Sequence, residues 1–200
     1  MMINLPLEKF SAFLFDLDGT IADSMPIHNL AWNETLKGYG HQVTDELLQS
    51  YAGISTIKTI ELFNERFQWS LNPHVIAEEK EKNFLKNISK VKVIESVYDV
   101  LEKVKTSPKA IVSGGPRDNV VKMLKHLDLF DEFKILVCAE DTQKGKPHPD
   151  PFLRAAELLR VEPHHCLVFE DGESGIIGAK ACGMGVVKVN LKHELSFLES

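Results

Sequence analysis

The segment Phe13-Leu14-Phe15-Asp16-Leu17-Asp18-Gly19-Thr20 runs from apolar residues into two carboxylates, a glycine and a hydroxyl. On an extended chain, residues i and i+2 point the same way, so Asp16 and Asp18 share a side. Two like charges at a strand end oppose each other's ionisation and need a cation or a shared proton. The pair therefore suits a Mg²⁺ site that handles phosphate. In open parallel sheets, ligands bind beyond the carboxyl ends of the strands. The residues after the other apolar runs are then candidates for the same rim. Ser113-Gly114-Gly115 follows one run and Glu170-Asp171-Gly172 another. Lys146 follows a third, in Lys146-Pro147-His148-Pro149-Asp150.

These groups have the chemistry that phosphoryl transfer needs. Asp16 can attack phosphorus and form an aspartyl phosphate. Asp18 can give a proton to the leaving oxygen and take one from the attacking water. Asp16 and Asp171 offer hard oxygens to Mg²⁺, and Asp18 offers its backbone carbonyl. The Ser113 hydroxyl and the Gly114 amide can hold nonbridging phosphate oxygens. Lys146 supplies a positive charge that offsets the phosphate and steadies the nucleophile. Catalysis of this kind is mainly positioning and charge stabilisation.

Five short apolar runs are expected to be buried parallel strands: Ala12 to Phe15, Ala110 to Val112, Ile135 to Cys138, Cys166 to Phe169 and Val186 to Val189. Each is too short for a helix. Helical spacing separates the later runs. Val120, Val121, Leu124 and Leu127 recur after Pro116, and Phe152, Ala155, Ala156 and Leu159 after Asp150-Pro151, which reads as an N-cap and a first-turn proline. Strands alternating with helices predict a doubly wound, Rossmann-like α/β sheet. The first crossover is too long for one helix. It carries helical patterns over Pro26 to Leu36, Asp45 to Tyr51, Thr56 to Phe67 and Pro73 to Ile88. The expected organisation is an α/β core of residues 1–21 and 93–200 with an inserted helical cap of residues 22–92.

A chain of 200 residues makes one domain, or one domain with an insertion. The net charge of −6 argues against nucleic acid or an anionic membrane as partner, but allows a small anion in a local positive pocket. Cys138 and Cys166 sit in apolar runs, the three cysteines form no Cys-x-x-Cys, and a reducing compartment fits. The beginning of the chain shows no basic, then apolar leader, and a cytoplasmic monomer is the expected state. The run Glu78-Glu79-Lys80-Glu81-Lys82 reads as a solvated helix face with i, i+4 pairs such as Glu78 and Lys82. His164-His165 reads as a solvated loop.

The ordered set of motifs resembles the haloacid dehalogenase superfamily, in its subclass with a helical cap after the first strand. The likeness is greatest to β-phosphoglucomutase-like sugar-phosphate phosphatases, and it spans nearly the whole chain. Asp16-Leu17-Asp18-Gly19-Thr20 matches the first family motif, Ser113 the second, Lys146 the third and Glu170-Asp171-Gly172-x-x-Gly175 the fourth. The resemblance implies a nucleophile at Asp16, acid/base work at Asp18 and phosphate contacts at Ser113 and Lys146. It implies metal ligation by Asp16, Asp18 and Asp171, with Glu170 assisting directly or through water. His28 and Trp32 match cap positions that face substrate, and Gly53 and Lys58 lie in the cap loop region expected to set selectivity.

The departures favour hydrolysis of a small phosphorylated metabolite. The mutase cap loop reads Gly-Val-Ser-Arg, whereas this chain has Gly53-Ile54-Ser55-Thr56. The mutase Ser-x-Ser-Lys-Asn segment is Ser113-Gly114-Gly115-Pro116-Arg117 here. Both changes weaken a grip on a second phosphate. Thr20 fits the phosphatase form, and Asp18 argues against carbon–halogen cleavage. A phosphosugar mutase and a non-catalytic phosphometabolite-binding protein are the rival readings.

Overall fold

The register of β1 (Ala12–Phe15) fixes the geometry of the molecule, which is a computed structural model describing residues 5–198. β1 lies at the middle of a six-stranded sheet between β2 (Lys109–Val112) and β4 (Cys166–Glu170). β3 (Ile135–Val137), β5 (Gly185–Val189) and β6 (Leu195–Leu198) complete the order β3-β2-β1-β4-β5-β6. Phe15 is level with Ile111 on one side and Phe169 on the other, so β1, β2 and β4 end at one rim. The ladder continues past the strand: the Asp16 amide donates to the Phe169 carbonyl at 3.0 Å, and the Ser113 amide to the Val137 carbonyl at 2.9 Å.

The alternation of β1 divides the core. Phe13 and Phe15 face α5 (Glu95–Lys103) and α6 (Arg117–His126), while Ala12 and Leu14 face α7 (Asp150–Leu159) and α8 (Glu173–Ala181). Helices thus cover both faces of a largely parallel sheet, as the doubly wound expectation requires. The Phe15 and Phe169 rings stack at 4.7 Å beneath the rim. Each such buried ring contributes about 1.5–3 kcal/mol.

The chain leaves this core after Ala22 and returns at Val93, where the two residues form an isolated bridge. Between them lie α1 (Met25–Gly38), α2 (Asp45–Ser50), α3 (Thr56–Phe67) and α4 (Pro73–Leu85). They build a separate apolar cluster from Trp32, Leu36, Leu48, Ile60, Phe63, Leu71, Ile76 and Ala77. Local sequence starts three of them. Thr44, Ser55 and Asn72 accept from backbone amides at the starts of α2, α3 and α4.

Several expectations shift. β6 is antiparallel to β5, so the sheet is mixed at one edge. α5 and β6 were not among the expected elements. Cys138 lies just past β3, and α7 begins at Asp150 with Pro149 as its cap residue, so Pro151 is its second residue. α1 runs on through Gly38, while α4 stops at Leu85, short of Ile88. Among the described residues no helix is long and apolar enough to cross a membrane.

Candidate active site

Asp16 is the first residue past β1 and only 3% exposed. Lys146 Nζ donates to Asp16 Oδ1 at 2.6 Å and to Glu170 Oε2 at 2.9 Å. Asp16 Oδ2 is buried without a hydrogen-bond partner. Glu170 ends β4 and is wholly buried because α8 packs Gly175 onto its carboxylate, where any Cβ would overlap it. Asp171 follows, and its Oδ1 accepts from the Thr20 hydroxyl at 3.4 Å.

Three carboxylates thus face one lysine. Burial raises the Asp16 carboxyl above its ordinary value, against the pull of Lys146. Burial and the neighbouring Asp16 push Glu170 well above the usual range, and push Asp171 up to about 7. Burial would lower the Lys146 ammonium, but Asp16 and Glu170 outweigh it and raise it. Asp16, Glu170 and Asp171 each offer an oxygen, all within 4.8 Å of one another. Hard oxygens, excess negative charge and the orphaned Asp16 Oδ2 fit a divalent cation such as Mg²⁺.

Asp18 turns its carboxylate away from this cluster. Its Oδ1 accepts from Ser24 Oγ at 2.6 Å and meets His28 Nε2 at 2.9 Å. Ser24 precedes α1 but makes no side-chain cap, because its hydroxyl is spent on Asp18. His28 Nδ1 lies 2.8 Å from Lys80 Nζ. An ammonium can only donate, so Nδ1 accepts and Nε2 carries its hydrogen to Asp18. Burial would raise the Asp18 carboxyl, yet His28, Ser24 and Lys80 together bring it down to about 2. The imidazole is held flat against Phe84 at 4.0 Å.

A cavity of about 90 Å³ joins these groups, lined at the rim by Asp16, Asp18 and Ser113 and on the cap side by His28, Trp32, Lys80 and Glu81. The loop carrying Gly53 closes it. Gly53 has φ +78°, and a Cβ there would stand 2.8 Å from Ser174 Oγ, so a side chain is excluded by both backbone and space. Gly114 lies against the Gly53 carbonyl, and Ser174 Oγ donates to the Ala52 carbonyl at 2.7 Å. Ser113 Oγ accepts from the Gly115 amide at 3.0 Å rather than capping α6, whose first amide donates to Glu140. Trp32 both lines the cavity and packs edge-on to Phe63 at 5.6 Å.

Two sequence expectations change here. Lys58 does not line the cavity; it is exposed and paired with Glu61 at 2.9 Å. The charge run is not one solvated face. Glu78 and Lys82 pair in solvent at 2.6 Å, but Lys80 is 3% exposed and Glu81 also turns inward. Sequence reading missed Lys80, Glu81 and Asn119. A signal existed for Lys80: it shares the helical seam of Ile76, Ala77 and Phe84, the buried positions of α4.

Comparison with known proteins agrees with this arrangement. The family described as haloacid dehalogenase-like hydrolase matches residues 13–189. The chain is 34% identical to the fructose-1-phosphate phosphatase YqaB of Escherichia coli (strain K12), over 92% of this chain and 98% of that protein. It is 30% identical to the β-phosphoglucomutase of Bacillus subtilis (strain 168), over 89% and 82% of the two chains. The crystal structure of β-phosphoglucomutase from Clostridium difficile superposes with a TM-score of 0.79 at 28% identity, covering 92% of this chain and 86% of that one. Match length, sheet order and the gathered carboxylates lead to one assignment: the chain belongs to the haloacid dehalogenase-like hydrolases.

Proposed function

We propose that this protein is a Mg²⁺-dependent phosphatase that hydrolyses a small phosphomonoester, a sugar phosphate, through an aspartyl phosphate on Asp16. The observation that carries this reading is the meeting of Asp16, Asp18 and Ser113 on one covered cavity, with Lys146 bonded to Asp16 from beneath. Lys146 fixes Oδ1 of Asp16, which orients the carboxylate. The Ser113 hydroxyl and the Gly114 amide receive phosphate oxygens. Asp16, Glu170 and Asp171, with the Asp18 carbonyl, would hold Mg²⁺, which supplies charge neutralisation for the phosphate.

Asp18 is a carboxylate in this arrangement and is set to take a proton from the attacking water. Giving a proton to the leaving oxygen requires Asp18 to be protonated first. Loosening the His28 or Ser24 bond favours that by removing what holds the charged form. The cap excludes bulk water from the phosphoenzyme until product departs. The cavity of about 90 Å³ is small, and both rim and cap residues line it.

Hydrolysis is favoured over phosphosugar isomerisation because neither Lys58 nor Arg117 reaches the cavity. Arg117 is tied to Asp141 and to the Leu136 carbonyl. The relative named a fructose-1-phosphate phosphatase points the same way, and the mutase relatives keep isomerisation as the second reading. The test is phosphate release from a panel of sugar phosphates with Mg²⁺ and with chelator. The expected result is release that Mg²⁺ stimulates and chelator stops. Absence of Mg²⁺-stimulated release from every ester contradicts the reading, and isomerised phosphosugar as the main product establishes the mutase.

A further inference from the structure

The proposed chemistry leaves the Lys80–Glu81 pair in the cavity without a task. Glu81 Oε1 accepts from Thr56 Oγ1 at 2.7 Å and from Lys80 Nζ at 3.0 Å, and its Oε2 accepts from Asn119 Nδ2 at 2.6 Å. Thr56 belongs to α3, Lys80 to α4 and Asn119 to α6, so the carboxylate stands where the cap meets the core. Its side chain is 16% exposed, and it lines the same cavity as Asp16, Asp18 and Ser113. Burial would raise its carboxyl, but Lys80 and Thr56 hold it below the ordinary value, so it carries charge at neutral pH.

We propose that Glu81, with Thr56 and Asn119, reads the end of the substrate remote from phosphorus, accepting hydroxyl hydrogens from an uncharged polyol or sugar and rejecting a second anionic group. The inference rests on the phosphatase reading and deepens it. The side-chain relay Asp18–His28–Lys80–Glu81 sets Glu81 on the cap side of the cavity, three contacts along from Asp18. Acceptor capacity follows from valence. A carboxylate has about four lone-pair sites, and three hydrogen bonds leave one for a substrate hydroxyl.

Charge decides against a second phosphate. Among the described residues, Lys80 is the lysine on the cavity wall and no arginine lines it. Lys80 is already shared between Glu81 and the His28 ring. A distal phosphate would therefore meet the Glu81 carboxylate beside a lysine whose charge that carboxylate already offsets, and like charges brought together in a partly dry site repel strongly. A neutral hydroxyl pays no such penalty and gains an acceptor.

The experiment compares kcat/KM for a hexose 1-phosphate and the matching hexose 1,6-bisphosphate. The wild-type protein is expected to favour the monophosphate by about tenfold or more. Glu81→Gln keeps the size and an acceptor oxygen but removes the charge. It is expected to narrow that preference by about tenfold, mainly through a lower KM for the bisphosphate. Calorimetric binding of the same two esters to Asp16→Asn, with and without Glu81→Gln, reads the same ratio without turnover. A wild-type protein indifferent to the second phosphate overturns the proposal. So does a Glu81→Gln protein with an unchanged ratio in both assays. Failure to release phosphate from either ester counts against the phosphatase reading, while the binding ratio still decides the role of Glu81.

Discussion

At the sheet rim, Lys146 sits between Asp16 and Glu170 with all three side chains at most 3% exposed. Across the cavity, Asp18 is bound through His28 to Lys80 and on to Glu81, and the Asp18 and Glu81 side chains are 27% and 16% exposed. Both regions are charged networks, but they are positioned differently. Asp16 and Glu170 stand at the ends of β1 and β4, whose register is set by main-chain bonds to neighbouring strands, and Lys146 reaches both from a loop. The cap groups depend on helix packing, with His28 from α1 and Lys80 from α4. A rim built on the backbone holds a buried carboxylate in place at the cost of desolvation. A cap network built on side chains is held by helix packing, with no strand ladder to fix it.

Breaking the rim is expected to have the larger effect. Lys146→Met leaves Asp16 and Glu170 buried without their shared cation. Removing one partner of a buried ion pair costs about 3–5 kcal/mol. Urea unfolding without added metal should show that loss throughout the molecule, together with near-complete loss of turnover. A variant of wild-type stability would mean that the three groups are not coupled as described.

Breaking the cap should act more locally. Phe63 is fully buried and meets Trp32, Tyr51 and Trp69 in the cap cluster. Phe63→Ala is expected to cost about 3–5 kcal/mol there. Hydrogen exchange should show lost protection across α1 to α4 while β1 and β4 keep theirs. Equal loss in sheet and cap would show that the two regions unfold as one unit.

The same contrast explains what the sequence made legible. Asp16, Asp18, Ser113 and Glu170-Asp171 each follow an apolar run closely, so strand-end position alone marked them. Lys146 was found by its place after the third run, although its loop brings it back under Asp16. The cap network was harder to see. Lys80 and Glu81 lie inside a run of five charged residues, and Glu78 and Lys82 in that run do face solvent. Only the helical spacing from Ile76 and Ala77 to Phe84 set Lys80 apart. Asn119 carries no local mark, because its value comes from a partner 38 residues away. β6 escaped because only Leu195 of its four residues is buried and Ser196 interrupts the apolar pattern. α5 did show helical spacing at Val97, Val100 and Leu101, beyond the expected cap and before the second strand.

The proposed chemistry stands on Asp16 as the group that takes the phosphoryl unit. Steady-state phosphate release by Asp16→Asn, with Mg²⁺ and a sugar phosphate that the wild-type protein hydrolyses, tests it most directly. The expected result is a fall of at least about 10⁴-fold in kcat with the circular dichroism of the folded protein retained. Turnover near the wild-type rate in that variant would contradict it.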